Sequence, residues 1–266
     1  MTFIPPKTFA VGEVLSAVDM NVFVRDNTVD LDDRLNTGTR FRGRETFQTP
    51  GTFTFNADDP RDDGKKPRLY RVICVGGGGG GGGGRSTSAG QVCAASGGNS
   101  GGFSERIYGA TLSGMCTVVV GAGGIGGTGA NGSDGEESSF EPPESVETRA
   151  VGGRGGLVPV SSSAPPSISQ AFRTAGEGVG FLRSPGDVGS NAAVLAADFG
   201  LPVGGNGGAG IFGSPGTGQS ATISAAQSDG RGFGGGGGGR SVTGANASAA
   251  KGGDGASGLV IVELFY

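Results

Sequence analysis

The chain has 266 residues, with 60 glycines, 13 prolines, no histidine, no tryptophan and a formal charge of −4. Without histidine there is no imidazole base and no imidazole metal ligand; the acidic balance offers no basic stripe for nucleic acid, and no apolar run is long enough to cross a bilayer. Glycine and proline together reach about 27%, the range of low-complexity chains unless a period appears.

Residues 1–44 form the first zone. MTFIPPKTFAVGE has no apolar stretch like that of a secretory signal, so synthesis and assembly in a cytoplasm are expected. Next comes GEVLSAVDMNVFVRDNTVDLDDRLN, where Ser16 and Asp19 have the spacing of a capping box. Val18, Val22 and Val29, preceded by Val11 and Leu15, recur at helical spacing. This predicts a short helix that docks on a partner or on copies of itself.

Residues 45–266 form the second zone. Strands are expected near 46–56, 68–75, 102–112, 115–121 and 258–266. In RETFQTPGTFTFN, Phe53 and Phe55 alternate with threonines, the period of a half-buried strand. RLYRVICV and the closing GLVIVELFY are rich in β-formers. NADDPRDDGKKP reads as a polar hairpin loop; its carboxylates lack the alternate spacing of a calcium loop. Cys74, Cys93 and Cys116 have no metal-like spacing, and Cys74 and Cys116 read as buried free thiols.

Glycine fills most of the remainder. Gly76–Gly84 is an unbroken run of nine, and Gly234–Gly239 a second pure run. Elsewhere a period of three emerges, at Gly123, Gly126, Gly129, Gly132 and Gly135, and again at Gly204, Gly207, Gly210, Gly213 and Gly216. Three residues per turn is the period of an extended left-handed helix without internal hydrogen bonds. Glycine keeps the N–H donor that proline lacks and has no side chain to hold a neighbour away. Such segments lie side by side and bond through their backbones. The registers are too short for collagen. VICVGGGGG invites a dinucleotide-binding reading, but no helical pattern follows the glycines, and no segment ends as a P-loop does.

The expected fold is mostly β and irregular. A small β-sandwich base carries a projecting bundle of polyglycine II helices, and a short helical anchor precedes it. The turns of the out-and-back excursions lie at the far end: RSTSAGQVCAAS, EESSFEPPESVETR, LVPVSSSAPPSISQAFRTA, the run from Phe181 to Val203, and QSATISAAQSDGR. Binding concentrates on loops held by rigid scaffolds. Phe140, Phe172, Phe181, Phe199, Phe212 and Phe233 are therefore the binding candidates.

These features have a counterpart. PGTFTF, VICVGGGGGG, SGGFSER, TVVVGAGGIGGTG, SSF, AVGGRGG, FGGGGGG and GGDGASGLVIVELFY follow in the order found in the Gly-rich domain of phage tail fibres and minor tail proteins. The chain resembles that family over about Thr49 to Tyr266. FAVGEVLSAVDMNVFVRDN, from Phe9 to Asn27, resembles a short leader of siphophage tail proteins, although Val18 and Met20 depart from it. The resemblance implies a virion component of the phage tail, attached to other tail proteins by Val11, Leu15, Val18, Val22 and Phe23. Loops at the tip of the bundle would bind a host-surface receptor, a saccharide or an outer-surface protein. Tail fibres are commonly trimeric and some glycine-bundle adhesins are monomeric, so both states stay open. Two other readings are a structural spacer or decoration protein and, more remotely, an ice-binding protein. No nucleophile–base constellation or paired carboxylates point to an enzyme, and no cofactor, metal, nucleic acid or membrane insertion is expected.

Overall fold

The computed structural model describes residues 41–60, 64–159, 178–194, 202–220, 228–244 and 247–266. The helical segment expected before residue 41 lies outside the described residues. The described residues are all β and irregular, without α-helix. The strands are β1 (Phe41–Phe47), β2 (Gly51–Asn56), β3 (Leu69–Val75), β4 (Val92–Ala94), β5 (Phe103–Gly109), β6 (Met115–Val120), β7 (Ser138–Glu141) and β8 (Thr148–Ala150). They continue with β9 (Gly178–Val179), β10 (Leu182–Ser184), β11 (Ala193–Val194), β12 (Pro202–Val203), β13 (Phe212–Ser214), β14 (Arg231–Phe233), β15 (Ser241–Thr243) and β16 (Leu259–Phe265).

Two five-stranded antiparallel sheets form the base, in the orders β1-β16-β3-β5-β10 and β2-β6-β7-β8-β9. Their facing sides share one apolar core. Tyr70, Val72 and Cys74 of β3 and Val260, Val262 and Leu264 of β16 meet Phe55, Cys116, Val118, Val120 and Phe140. Alternation with period two puts these residues on one face of each strand. RETFQTPGTFTFN is not one strand, as expected, but two. Pro50 cannot donate to a ladder, and Gly51 takes φ +144°, so the chain turns a corner there. β1 and β2 become edge strands of opposite sheets. All three cysteines are free and buried, as read for Cys74 and Cys116. Burial pushes the Cys74 thiol up and the Cys116 thiol up to about 11.

The outer face of the first sheet carries a second cluster, Ile73, Val75, Phe103, Leu259 and Ile261. The β13–β14 hairpin covers it through Phe233, and Phe212 packs on Phe103 with ring centroids 6.5 Å apart. Below the cluster, Arg71 bridges Glu105 at 2.8 Å and Glu263 at 3.0 Å across three strands.

Gly76–Gly84 leaves β3 directly and is buried throughout. Its N–H groups donate in rotation to three neighbours. Gly76, Gly79 and Gly82 donate to the carbonyls of Gly102, Asn99 and Ser96, at 3.0, 2.8 and 3.0 Å. Gly77, Gly80 and Gly83 donate to Glu136, Ser133 and Ala130, and Gly78 and Gly81 to Ala256 and Gly253. Falling partner numbers make these neighbours antiparallel. The carbonyls accept from three parallel neighbours: Gly124 and Gly127 donate to Gly78 and Gly81, Gly153 and Gly156 to Gly77 and Gly80, and Gly237 and Arg240 to Gly79 and Gly82. Six segments thus enclose the run, and every third residue faces the same one. A Cβ built on Gly80 would overlap the backbone carbonyl of Ile125.

Segments farther out carry side chains, and these close the rim. Outward N–H groups with no backbone partner are met by short polar side chains of the next segment. Asn206 Oδ1 accepts from Gly218 N at 2.7 Å, Ser133 Oγ from Ile125 N at 2.7 Å, and Asp134 Oδ1 from Gly155 N at 2.8 Å. Replacing Asn206 with alanine is expected to cost about 1 kcal/mol, the worth of one such bond. Chemical denaturation of the N206A chain checks it.

Candidate functional site

The direction of each excursion locates the far end. Gly76 bonds to Gly102 beside the base, whereas Gly83 and Gly84 reach Ala130 and Ala250. The turn from Arg85 to Gln91 therefore lies at the end of the glycine segments remote from the sheets. It is a built turn: Gln91 N donates to the Ser88 carbonyl at 3.1 Å, and Ser88 N to Gln91 Oε1 at 3.0 Å. Thr87 bridges to Ala247 and is buried, while Arg85, Ser86, Ser88, Ala89 and Gly90 are exposed.

Behind the turn lies a small cap. β4 pairs with β15, and β12 packs on both. Val242 and Cys93 are buried there. Ser241 Oγ donates to the Pro202 carbonyl at 2.7 Å, and Arg85 N to Cys93 Sγ at 3.3 Å. Cys93 Sγ reaches the Pro159 carbonyl at 3.6 Å. Burial, against a smaller opposing effect of the Arg85 bond, pushes the Cys93 thiol up. The cap seals the open ends of the glycine segments and holds the turn and the ends of neighbouring excursions in one layer.

The structure distributes the candidate phenylalanines differently from the sequence reading. Phe140 is fully buried in the sandwich core on β7, with ring centroids 5.5 Å from Tyr108 and 5.8 Å from Phe55. EESSFEPPESVETR is accordingly the β7–β8 hairpin of the base and not a far-end turn. Three- and four-residue strands of Ser, Thr and Glu carry no readable alternation, and their sheet neighbours supply the burial. Phe181 is 89% exposed, but it stands at the base, where its N–H donates to the Glu105 carbonyl at 2.8 Å. Phe212 and Phe233 pair across the β13–β14 hairpin against the base, with Phe233 half-buried. Phe172 and Phe199 lie outside the described residues, as do Val11, Leu15, Val18, Val22 and Phe23. The far-end turn itself, RSTSAGQ, was legible from its place after the nine glycines.

Among the described residues no group of His, Cys, Asp or Glu is arranged to hold a metal ion, and no helix is long and apolar enough to cross a membrane. In NADDPRDDGKKP, read as a polar hairpin loop rather than a calcium site, Asp58 pairs with Lys66 at 2.8 Å and accepts the Gly114 N–H at 2.7 Å. The Lys66 bond, then the Gly114 bond, hold its carboxyl below the usual range.

Comparison with known families matches residues 49–265 to the family described as the glycine-rich domain. No curated protein matches the chain.

Proposed function

We propose that this chain, a member of the glycine-rich domain family, is a phage virion protein, a distal tail-fibre or minor tail protein, as its motif order and leader-like N-terminal segment suggest. It binds the host cell surface through loops at the tip of a bundle of polyglycine II helices. The observation that carries this reading is the enclosure of Gly76–Gly84 by six hydrogen-bonded neighbours, with an exposed turn at its far end. A period-three hydrogen-bond rotation is what polyglycine II packing requires. Its product is a post that, among the described residues, carries its exposed side chains on the rim and at the tip.

The post separates two tasks. The sheets supply the apolar core that glycine cannot, and the glycine segments carry the turns away from it. A tip made of turns tolerates sequence change without disturbing the core, a property suited to recognition of variable surfaces. The N-terminal zone joins the protein to other tail proteins in this scheme, and the host receptor is a saccharide or an outer-surface protein.

Soluble full-length protein in micromolar excess is expected to block adsorption of the parent phage to its host. The double variant Arg85→Glu, Ser88→Glu should block several-fold less well at unchanged melting temperature. If excess wild-type protein leaves adsorption intact, and phage carrying the variant turn infect normally, the adhesin reading fails and the bundle is a spacer.

A further inference from the structure

A second surface lies at the opposite end of the base. β5 starts beside the glycine segments at Phe103 and runs away from them to Gly109. The β7–β8 turn ends on the same side. Between them is an open cleft of about 570 Å³, within the ordinary size range of small-ligand sites. Arg106, Thr111, Glu144 and Ser145 supply its polar lining, and Ile107 and Val146, both more than half exposed, its apolar lining.

Arg106 combines a shielded N–H, which Arg149 also has, with the absence of a carboxylate partner. Arg71, Arg149 and Arg154 each sit on a carboxylate. Arg106 makes no ion pair or hydrogen bond among the described residues, and its Nε is closed off from solvent without an acceptor. Its strand neighbour Glu105 faces the other side of the sheet, bound to Arg71 at 2.8 Å. An unpaired guanidinium with a shielded N–H costs stability and gains nothing within the fold.

The cleft is also held in shape before any ligand arrives. The Tyr108 hydroxyl donates to the Val146 carbonyl at 2.8 Å and lies 2.7 Å from Thr148 Oγ1. This fixes the turn that bears Ser145 and Val146 against β5, and a preformed wall lowers the ordering cost of binding.

We propose that this cleft binds a saccharide-sized ligand through one oxyanion, a carboxylate or a phosphate, held by the Arg106 guanidinium. The planar fork of an arginine matches two oxygens of such a group. Thr111, Ser145 and Glu144 offer hydroxyl and carboxylate partners for sugar hydroxyls, and Val146 an aliphatic surface for the ring, while Ile107, which alternates to the far side of β5 with Glu105, stands at the rim. A single carboxylate in the lining, Glu144, does not make a metal site. This site stands apart from the tip and does not depend on the adhesin reading.

Nitrogen-15 NMR of the full chain tests it through the Arg106 Nε–H signal, assigned by its loss in Arg106→Lys. Glucuronate and glucose 1-phosphate are titrated separately, with neutral glucose as the control. A saturable shift with one anion and none with glucose is expected, and the responding anion identifies the source of the oxyanion. Arg106→Met, followed through the Ile107 and Val146 amides, should abolish binding. Val146→Glu, an exposed change that presents its own carboxylate, should block it with the melting temperature unchanged. No saturable shift with either anion, or shifts that persist in Arg106→Met or Val146→Glu, would overturn the proposal.

Discussion

Replacing Gly80 with alanine is expected to destabilise the protein by about 3 kcal/mol or more, the upper range for overpacking an interior. The reason is local and geometric. Gly80 N donates to Ser133 at 3.0 Å, and its carbonyl accepts from Gly156 at 2.8 Å. The added methyl would overlap the Ile125 carbonyl, and a Cβ on the facing Gly132 would likewise overlap the Gly80 carbonyl. In an apolar core a side chain turns aside. Here every neighbour is backbone, and each backbone is bonded to further backbones. Room for one methyl requires several segments to move together. At roughly 2–4 °C per kcal/mol for a domain of this size, the melting temperature should fall by roughly 10 °C.

The control is Ile125→Ala in the same lattice. Ile125 is 66% exposed on the rim, and truncating it should change stability by less than about 0.5 kcal/mol. Limited proteolysis should then cut G80A within the glycine segments and leave wild type and I125A resistant. If G80A melts within a degree or two of wild type, the six-fold enclosure of this run is wrong.

How the glycines are distributed in the sequence follows from the same geometry. A segment with three residues per turn presents three sides. Gly76–Gly84 is enclosed on all of them, and no triplet contains another residue. GGRGGL encloses two sides, with Gly152, Gly153, Gly155 and Gly156 buried and Arg154 exposed. SPGDVGS has one glycine per triplet and lies at the edge, with Asp187 and Val188 exposed. In these three segments the number of glycines per triplet follows depth, and that much was legible from sequence; the segment 95–102 departs from it, with Ser96, Asn99 and Ser100 buried among the glycines.

What the period does not carry is direction. A triplet register is the same whether the chain runs out or back, so the sequence alone could not say which loops return to the base. That is why the β7–β8 hairpin and Phe181 were expected at the tip. It is also why the β13–β14 hairpin, whose strands contain Gly213 and Gly232, escaped notice as a cover for Ile73 and Ile261. The cleft at Arg106 was illegible for a related reason. Its members come from β5 and from a turn about forty residues later, and no local pattern joins them.

Phe140→Ala is the second large effect expected. The ring is fully buried and sits where the two sheets meet, beside Phe55 and Tyr108. β7 lies between β6 and β8, where Phe140 is paired with Val118 and Thr148, so the void cannot open to solvent from an edge. Loss of a buried phenylalanine typically costs about 3–5 kcal/mol. The void would also undercut the Tyr108 ring, whose hydroxyl bonds to Val146 and Thr148 steady the neighbouring hairpin. Phe181→Ala removes an equally large ring that is 89% exposed and should cost less than about 0.5 kcal/mol. The pair separates two roles that sequence reading had merged. In an adsorption assay Phe140→Ala should lose competition only in proportion to its unfolded fraction, because the ring touches no surface. A Phe140→Ala protein that melts like wild type, or that loses competition while fully folded, would contradict the placement of this residue in the core.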